Sequence, residues 1–157
     1  MAIYMLVEGV TGSSTEKEHK GWIPIKSCDF PVDRPGVNTR PGKITDRLRS
    51  SVIFPQITVT KDSDVASPGL MKWMVDGLTK EVTIAFCKEK GEKVTVIILT
   101  NTLVTNMQTT CSNDEQPNET IKLDFTKILM EYATYDEKNK PLAPAKVSYD
   151  LGTASSS

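Results

Sequence analysis

Residues 58–77 read TVTKDSDVASPGLMKWMVDG, and the stretch changes character twice. Ile57 and Val59 alternate with Thr58 and Thr60, the period-two pattern of a strand with one buried face. A polar corner follows, and then a helix is expected from Ser67 to Gly77. Ser67 suits an N-cap, Pro68 suits the first turn, where no amide hydrogen is needed, and Gly77 suits the left-handed residue that ends a helix. Leu70, Met71, Met74, Val75 and Leu78 fall on one broad face, with Lys72 and Asp76 opposite. That stripe is expected to pack the helix onto a sheet. Trp73, on its flank, is left for contact with a neighbour.

On either side of this helix the chain reads as strand. Ile3–Val10 alternates, and Trp22–Phe30 (WIPIKSCDF) forms a second candidate, placed at an edge or near a strand start by Pro24, which cannot donate to a ladder. After the helix, Val82, Ile84 and Phe86 alternate with Thr83, Ala85 and Cys87, and KEKGE supplies a hairpin turn with Gly91. KVTVIILTN and LVTNMQTT continue as strands. TIKLDFTKILMEYATYD has the length of a helix, but its alternation and β-branched content predict a long strand bent near Lys127. KVSYDLGTASSS offers a last short strand and a frayed serine end, 152–157. Many strands, short turns and one helix predict a mainly β fold: a two-sheet β-barrel with one flanking α-helix and a long extended loop.

The loop is residues 31–51. It repeats Arg-Pro-Gly at 34–36 and 40–42, carries no hydrophobic period, and is longer than compact domains usually allow for an irregular connection. Arg34, Arg40, Lys43, Arg47 and Arg49 outnumber Asp33 and Asp46 in it, and acidic residues gather in other turns, at Asp114, Glu115 and Glu119 and at Asp136 and Glu137. A basic arm that packs on a neighbouring copy fits this distribution.

The totals bound the class. With 157 residues the chain makes one domain, 1–157, and with 38% hydrophobic residues, 25% charged residues and a net charge of −1 it is neither disordered by composition nor steered toward nucleic acid. No apolar run has the length of a bilayer span, so no membrane insertion is expected. MAIYMLVEGVTG reads as a first strand and not as a secretory signal. Cys28, Cys87 and Cys111 form no Cys-x-x-Cys pair and are expected as reduced thiols, the first two inert within strands.

Catalytic chemistry lacks its parts. His19 is the one histidine and lies in the charged turn TEKEHKG, where a solvated side chain is expected. Neither a nucleophile with its base, nor a metal-ligand cluster, nor a phosphate-cradling glycine loop is visible, so no enzyme activity, cofactor or metal is expected. The arm has no aromatic residues with which to stack nucleic-acid bases.

Four motifs carry a resemblance. GVTGSSTEKEHKGWI, TVTKDSDVASPGLMKWMVDG, VIILTNTLVTNMQTT and DEQPNETIKLDFTKILMEYATYD follow one another in the order found in hemolysin-coregulated proteins, which the chain resembles along nearly its whole length. That family forms the tube of type VI secretion systems. The resemblance implies a homo-hexameric ring, rings stacked head-to-tail into a tube inside a contractile sheath beneath a spike, and effectors carried within. It implies assembly in the bacterial cytoplasm and export through the type VI machine without a signal peptide. It also turns Ser27 and Asp29 toward the lumen and gives the basic arm and Trp73 to contacts between subunits or rings. A phage tail-tube protein shares this architecture, and a β-sandwich carbohydrate-binding module is the reading from another class.

Overall fold

The computed structural model describes residues 1–34, 52–88, 92–138 and 140–157. Its strands are β1 (Ala2–Val7), β2 (Ile23–Ile25), β3 (Ser27–Asp29), β4 (Ile57–Asp62), β5 (Lys80–Cys87), β6 (Lys93–Thr110), β7 (Asn118–Asp124), β8 (Lys127–Tyr132), β9 (Ala145–Asp150) and β10 (Ser155–Ser156), and α1 spans Ser67–Asp76. The fold is mainly β and antiparallel, with one α-helix among the described residues, as the alternating patterns predict.

Two long segments hold the layers together. KVTVIILTN and LVTNMQTT, expected as separate strands, form the single 18-residue β6. It bends where Asn101 takes a positive φ of 52°, and a register shift follows between Val104 and Asn106. Its first half pairs with β5 and β8, its second half with β7. The predicted long strand of residues 120–136 breaks at Phe125 and Thr126 instead of bending, so that β7 and β8 pair with opposite halves of β6.

The second sheet-switching segment is Trp22–Phe30, interrupted at Lys26. β2 pairs with β1, β3 pairs with β4, and the Lys26 N–H donates to Thr60 O at 2.7 Å between them. The sheets therefore meet at Lys26 as well as along β6, in the two-sheet, mainly β arrangement that was expected, and among the described residues the strand ladder is interrupted at Lys26. The layers read β10-β9-β8-β6-β5-β1-β2 and β3-β4-β7-β6. Met5, Ile23, Ile57, Val59, Val82, Ile84, Leu99, Ile121 and Leu123 interdigitate between them, all fully buried.

Two ends differ from expectation. Val10 adds only an isolated bridge to Val7, so β1 stops at Val7. The serine end folds back: Ser148 and Ser157 exchange two backbone hydrogen bonds of 3.0 Å, and β10 pairs with β9.

α1 keeps its predicted position and its Gly77 cap, which has φ 66° and an N–H donating to Trp73 O at 3.1 Å. Its N-cap is Ala66, not Ser67. The Ser67 hydroxyl instead accepts from the Asp64 N–H at 3.0 Å. Of the predicted core-facing stripe only Leu70 is buried, and Trp73 takes the place of the others. Leu70 and Trp73 are buried, while Met71, Met74, Val75 and Leu78 are exposed. Trp73 takes the interior because its ring brings the larger apolar area and its Nε1–H finds a partner, Leu78 O, at 2.6 Å.

Candidate functional site

The predicted lumen residues sit on one polar sheet face. Through β3, β4, β7 and the distal half of β6, Ser27, Thr60, Thr120 and Gln108 lie in one row, and Asp29, Thr58, Lys122 and Asn106 in the next. The inward alternates, Val59, Ile121 and Leu123, fill the core. Ser27 and Asp29 are exposed, the Ser27 and Thr60 hydroxyls hydrogen-bond each other, and Lys26 Nζ donates to Asp62 Oδ1 at 2.9 Å. This outward face is therefore hydroxyl, amide and paired charge. It can line a water-filled space at no desolvation cost.

The predicted contact residues divide. Arg34 is exposed one residue past the Asp33–Ile53 bridge that closes the base of the arm. Arg40, Lys43, Arg47 and Arg49, like Gly91 of the hairpin turn, lie outside the described residues. Trp73 is only 2% exposed and faces the core, so the outward surface of α1 is made by its neighbours.

The sequence reading missed a buried ionic corner where the strand hands over to α1. Lys61, fully buried, donates from Nζ to Glu119 Oε2 at 2.8 Å and to Asp62 O at 2.8 Å, and lies 2.9 Å from Asp64 Oδ1. One cation faces two carboxylates, and hydroxyls satisfy the surplus: Ser63 Oγ donates to Glu119 at 2.9 Å and Ser13 Oγ to Asp64 at 3.0 Å. Glu119 is thus committed to the fold and is not part of an acidic turn surface. Its signal lay in register: Lys61 and Glu119 occupy apolar-phase positions of their strands, and opposite charges in that phase predict an internal pair.

His19 is the second correction. It is fully buried, not solvated, stacked on Tyr4 at 4.8 Å and set edge-on to Trp22 at 4.8 Å. The loop folds back because Gly12 approaches backbone so closely that a Cβ there would meet Trp22 O at 2.3 Å. His19 Nδ1 bonds Glu16 Oε2 at 2.7 Å, and Nε2 lies 3.7 Å from Cys87 Sγ. Carboxylate, imidazole and thiol stand in the order of a nucleophilic relay, but Cys87 is sealed in the core and burial raises its thiol pKa. Cys28 is pushed up to about 11, by burial first and by the Asp29 charge second. Both thiols are held protonated, and the cluster acts as an anchor for the 13–22 loop.

Among the described residues no three His, Cys, Asp or Glu side chains are grouped to hold a metal ion, and no helix is long and apolar enough to cross a membrane. The sequence profile of the family described as "Type VI secretion system effector, Hcp" matches residues 4–132, well over half the chain. The chain belongs to the Hcp family. Solved structures share the fold of this Hcp chain across nearly its whole length. One, described as a type six secretion system protein, is 21% identical with a TM-score of 0.88, covering 99% of both chains. Hcp1 from Salmonella typhimurium is 18% identical with a TM-score of 0.81, covering 99% of this chain and 98% of its own. A type VI secretion system effector from Yersinia pestis is 19% identical with a TM-score of 0.76, covering 94% and 98%. A search of curated proteins finds no match. Family and fold together make this Hcp chain a tube protein of type VI secretion, a family whose role is structural, and the carbohydrate-binding alternative gives way.

Proposed function

We propose that six copies of this chain close into a ring, that rings stack head-to-tail into the inner tube of a type VI secretion system, and that effectors travel in the lumen. The observation that carries the proposal is the Hcp family match over residues 4–132 on a chain whose whole length follows the Hcp fold. Sheath and spike are the partners of such a tube, and export follows its ejection.

Two surfaces take roles in this reading. The polar face bearing Ser27 and Asp29 lines the lumen, where a wet, hydrogen-bonding wall holds cargo weakly enough to release it. The basic arm reaches the neighbouring ring and meets the acidic turns at Asp114, Glu115 and Glu137, all exposed. Exposed ion pairs contribute about 0–1 kcal/mol each and are screened by salt, but a ring engages several at once.

The test is electron microscopy of the purified protein across a salt series. Annular particles with an open centre are expected, with stacks that shorten as salt rises. The Arg47→Glu, Arg49→Glu double variant should keep its rings and lose stacking. Asp29→Arg should keep both and alter cargo retention; loss of rings there would put Asp29 at a subunit contact. A single-chain species at high concentration would sink the proposal.

A further inference from the structure

Beneath the 13–22 loop a ring nitrogen and a thiol are buried side by side. His19 and Cys87 are both fully buried, and Nε2 lies 3.7 Å from Sγ. On the other side of the ring, Nδ1 meets Glu16 Oε2 at 2.7 Å. A carboxylate only accepts, so this bond puts the imidazole proton on Nδ1 and leaves the Nε2 lone pair facing the thiol. A histidine oriented by a carboxylate through one nitrogen, with the other nitrogen free, is the arrangement that metal-binding histidines use. The walls are aromatic. Tyr4 stacks on the imidazole with 7° between the planes, Trp22 closes on it edge-on at 89°, and Lys93, the register partner of Cys87, sits over Trp22 at 5.4 Å.

Anchoring the loop uses only part of this cluster. The ring contacts and the Glu16 bond fasten His19, whereas a thiol at the free nitrogen adds little hydrogen bonding and one strong soft ligand. Bonds to zinc, about 2.0 Å from imidazole nitrogen and about 2.3 Å from thiolate sulfur, set the scale for an ion held between the two atoms. Two such bonds in line span about 4.3 Å, so small side-chain rotations open the 3.7 Å gap far enough.

We propose that His19 Nε2 and Cys87 Sγ hold a soft monovalent metal ion, of the class of copper(I) and silver(I), between them as a two-coordinate site. Thiolate sulfur and imidazole nitrogen both suit copper. Charge and ligand number select the ion. The metal displaces the thiol proton, which leaves to solvent; the S–H bond breaks, metal–sulfur and metal–nitrogen bonds form, and nothing is oxidised or reduced. A monovalent ion on one thiolate and one neutral imidazole makes a neutral centre, which a dry core tolerates. A divalent ion would keep a full positive charge at the sulfur, its nearest counter-charge being Glu16 across the ring, and buried charge set apart from its partner is costly. Zinc would also lack two of its four usual ligands. Burial raises the Cys87 thiol pKa and the Lys93 charge opposes that rise, while a coordinated cation deprotonates a thiol outright. Entry requires the loop to lift, breaking the bonds from the Gly12 N–H to Gly21 O at 2.7 Å and from the Ser14 N–H to Trp22 O at 3.0 Å. Loading is therefore slow, and the seated ion is shielded from water and from competing ligands.

The site is tested on the full chain carrying Cys28→Ala and Cys111→Ser, which removes the other two thiols. Incubated without oxygen in excess copper(I), supplied as its acetonitrile complex, and then desalted, this protein should retain one ion per chain in native mass spectrometry. The mass gain should be that of the ion less one proton, and circular dichroism should be unchanged. Silver(I) should give the same count and zinc(II) none. Adding His19→Phe, which keeps a ring between Tyr4 and Trp22, should abolish retention, and so should adding Cys87→Ser. Glu16→Gln should keep the site but weaken it about 10–100-fold in competition with bicinchoninate, as loss of the group that orients a metal-bound histidine does. Should His19→Phe fail to fold, Cys87→Ser, which exchanges one atom, carries the comparison. Retention that survives in a folded Cys87→Ser or His19→Phe variant would overturn the site. A folded chain that takes up no copper(I) or silver(I) after days, or one that binds only as its circular dichroism is lost, would overturn it equally.

Discussion

The outward face of the β3-β4-β7 sheet and the outward face of α1 are both surface in the single chain, yet they are built from opposite chemistry. The sheet presents Ser27, Thr60, Thr120 and Gln108 in one row and Asp29, Thr58, Lys122 and Asn106 in the next. The helix presents Met71, Met74, Val75 and Leu78. Water satisfies the first surface completely, while the second stays costly until another molecule covers it. One reads as a wall facing solvent, the other as half of an interface.

The sharpest way to break this contrast is to exchange the weights of the two sides of α1. Trp73→Ala should lower the chain's own stability by about 3–5 kcal/mol, the usual cost of emptying a buried aromatic site. Val75→Ala should stay within about 0.5 kcal/mol in the single chain, as exposed substitutions do. Urea unfolding of the dissociated protein measures both, and a costly Val75→Ala beside a cheap Trp73→Ala would reverse the faces.

Next comes the corner that aims the helix. Lys61→Met leaves buried Glu119 and half-buried Asp64 without their cation, and should cost about 3–5 kcal/mol. Replacing Lys61 and Glu119 together with Met and Leu should recover much of that loss, since an apolar pair of similar volume is often tolerated. A double variant no more stable than the single one would show that Asp64 dominates the corner.

The difference between the two faces also explains what was legible in the sequence. Strand alternation has two phases, and apolar Ile57, Val59, Ile121 and Leu123 choose the inner one, so Thr58, Thr60, Thr120 and Lys122 fall on the polar face, whereas Ser27 and Asp29 were assigned through the family resemblance. α1 is apolar on two sides. Periodicity found the larger stripe but could not rank it against one tryptophan, whose burial depends on a carbonyl, Leu78 O, beyond the helix end. His19 was hidden for a similar reason, because its partners Tyr4 and Cys87 are brought to it by tertiary folding. The division of β7 from β8 also escaped the pattern, which continues through Thr126 while the backbone changes layers.

Smaller effects refine the picture at the thiols and the 13–22 loop. A thiol-directed reagent at pH 8 should label exposed Cys111 first. Cys28, with its pKa near 11, should react roughly a hundredfold slower than a thiol of ordinary pKa ~8.5, and Cys87 only on unfolding. Rapid labelling of Cys87 in the folded protein would show that the loop opens. Glu16 is held below the ordinary carboxylate range, chiefly by the hydrogen bond from His19. A carboxyl depressed by folding contributes stability above its unfolded pKa and loses it as pH falls through the folded one. The Tm gap between the unaltered protein and Glu16→Gln should therefore be present at neutral pH and close in acid. A gap that persists well below the carboxylate range would take the effect away from this pair.

The central claim, that this fold is a ring subunit, is tested most directly by light scattering of the freshly purified protein over a range of concentrations. The predicted result is a particle six times the 17.3 kDa chain mass, annular in electron micrographs. A mass of one chain that persists at the highest concentration would contradict it.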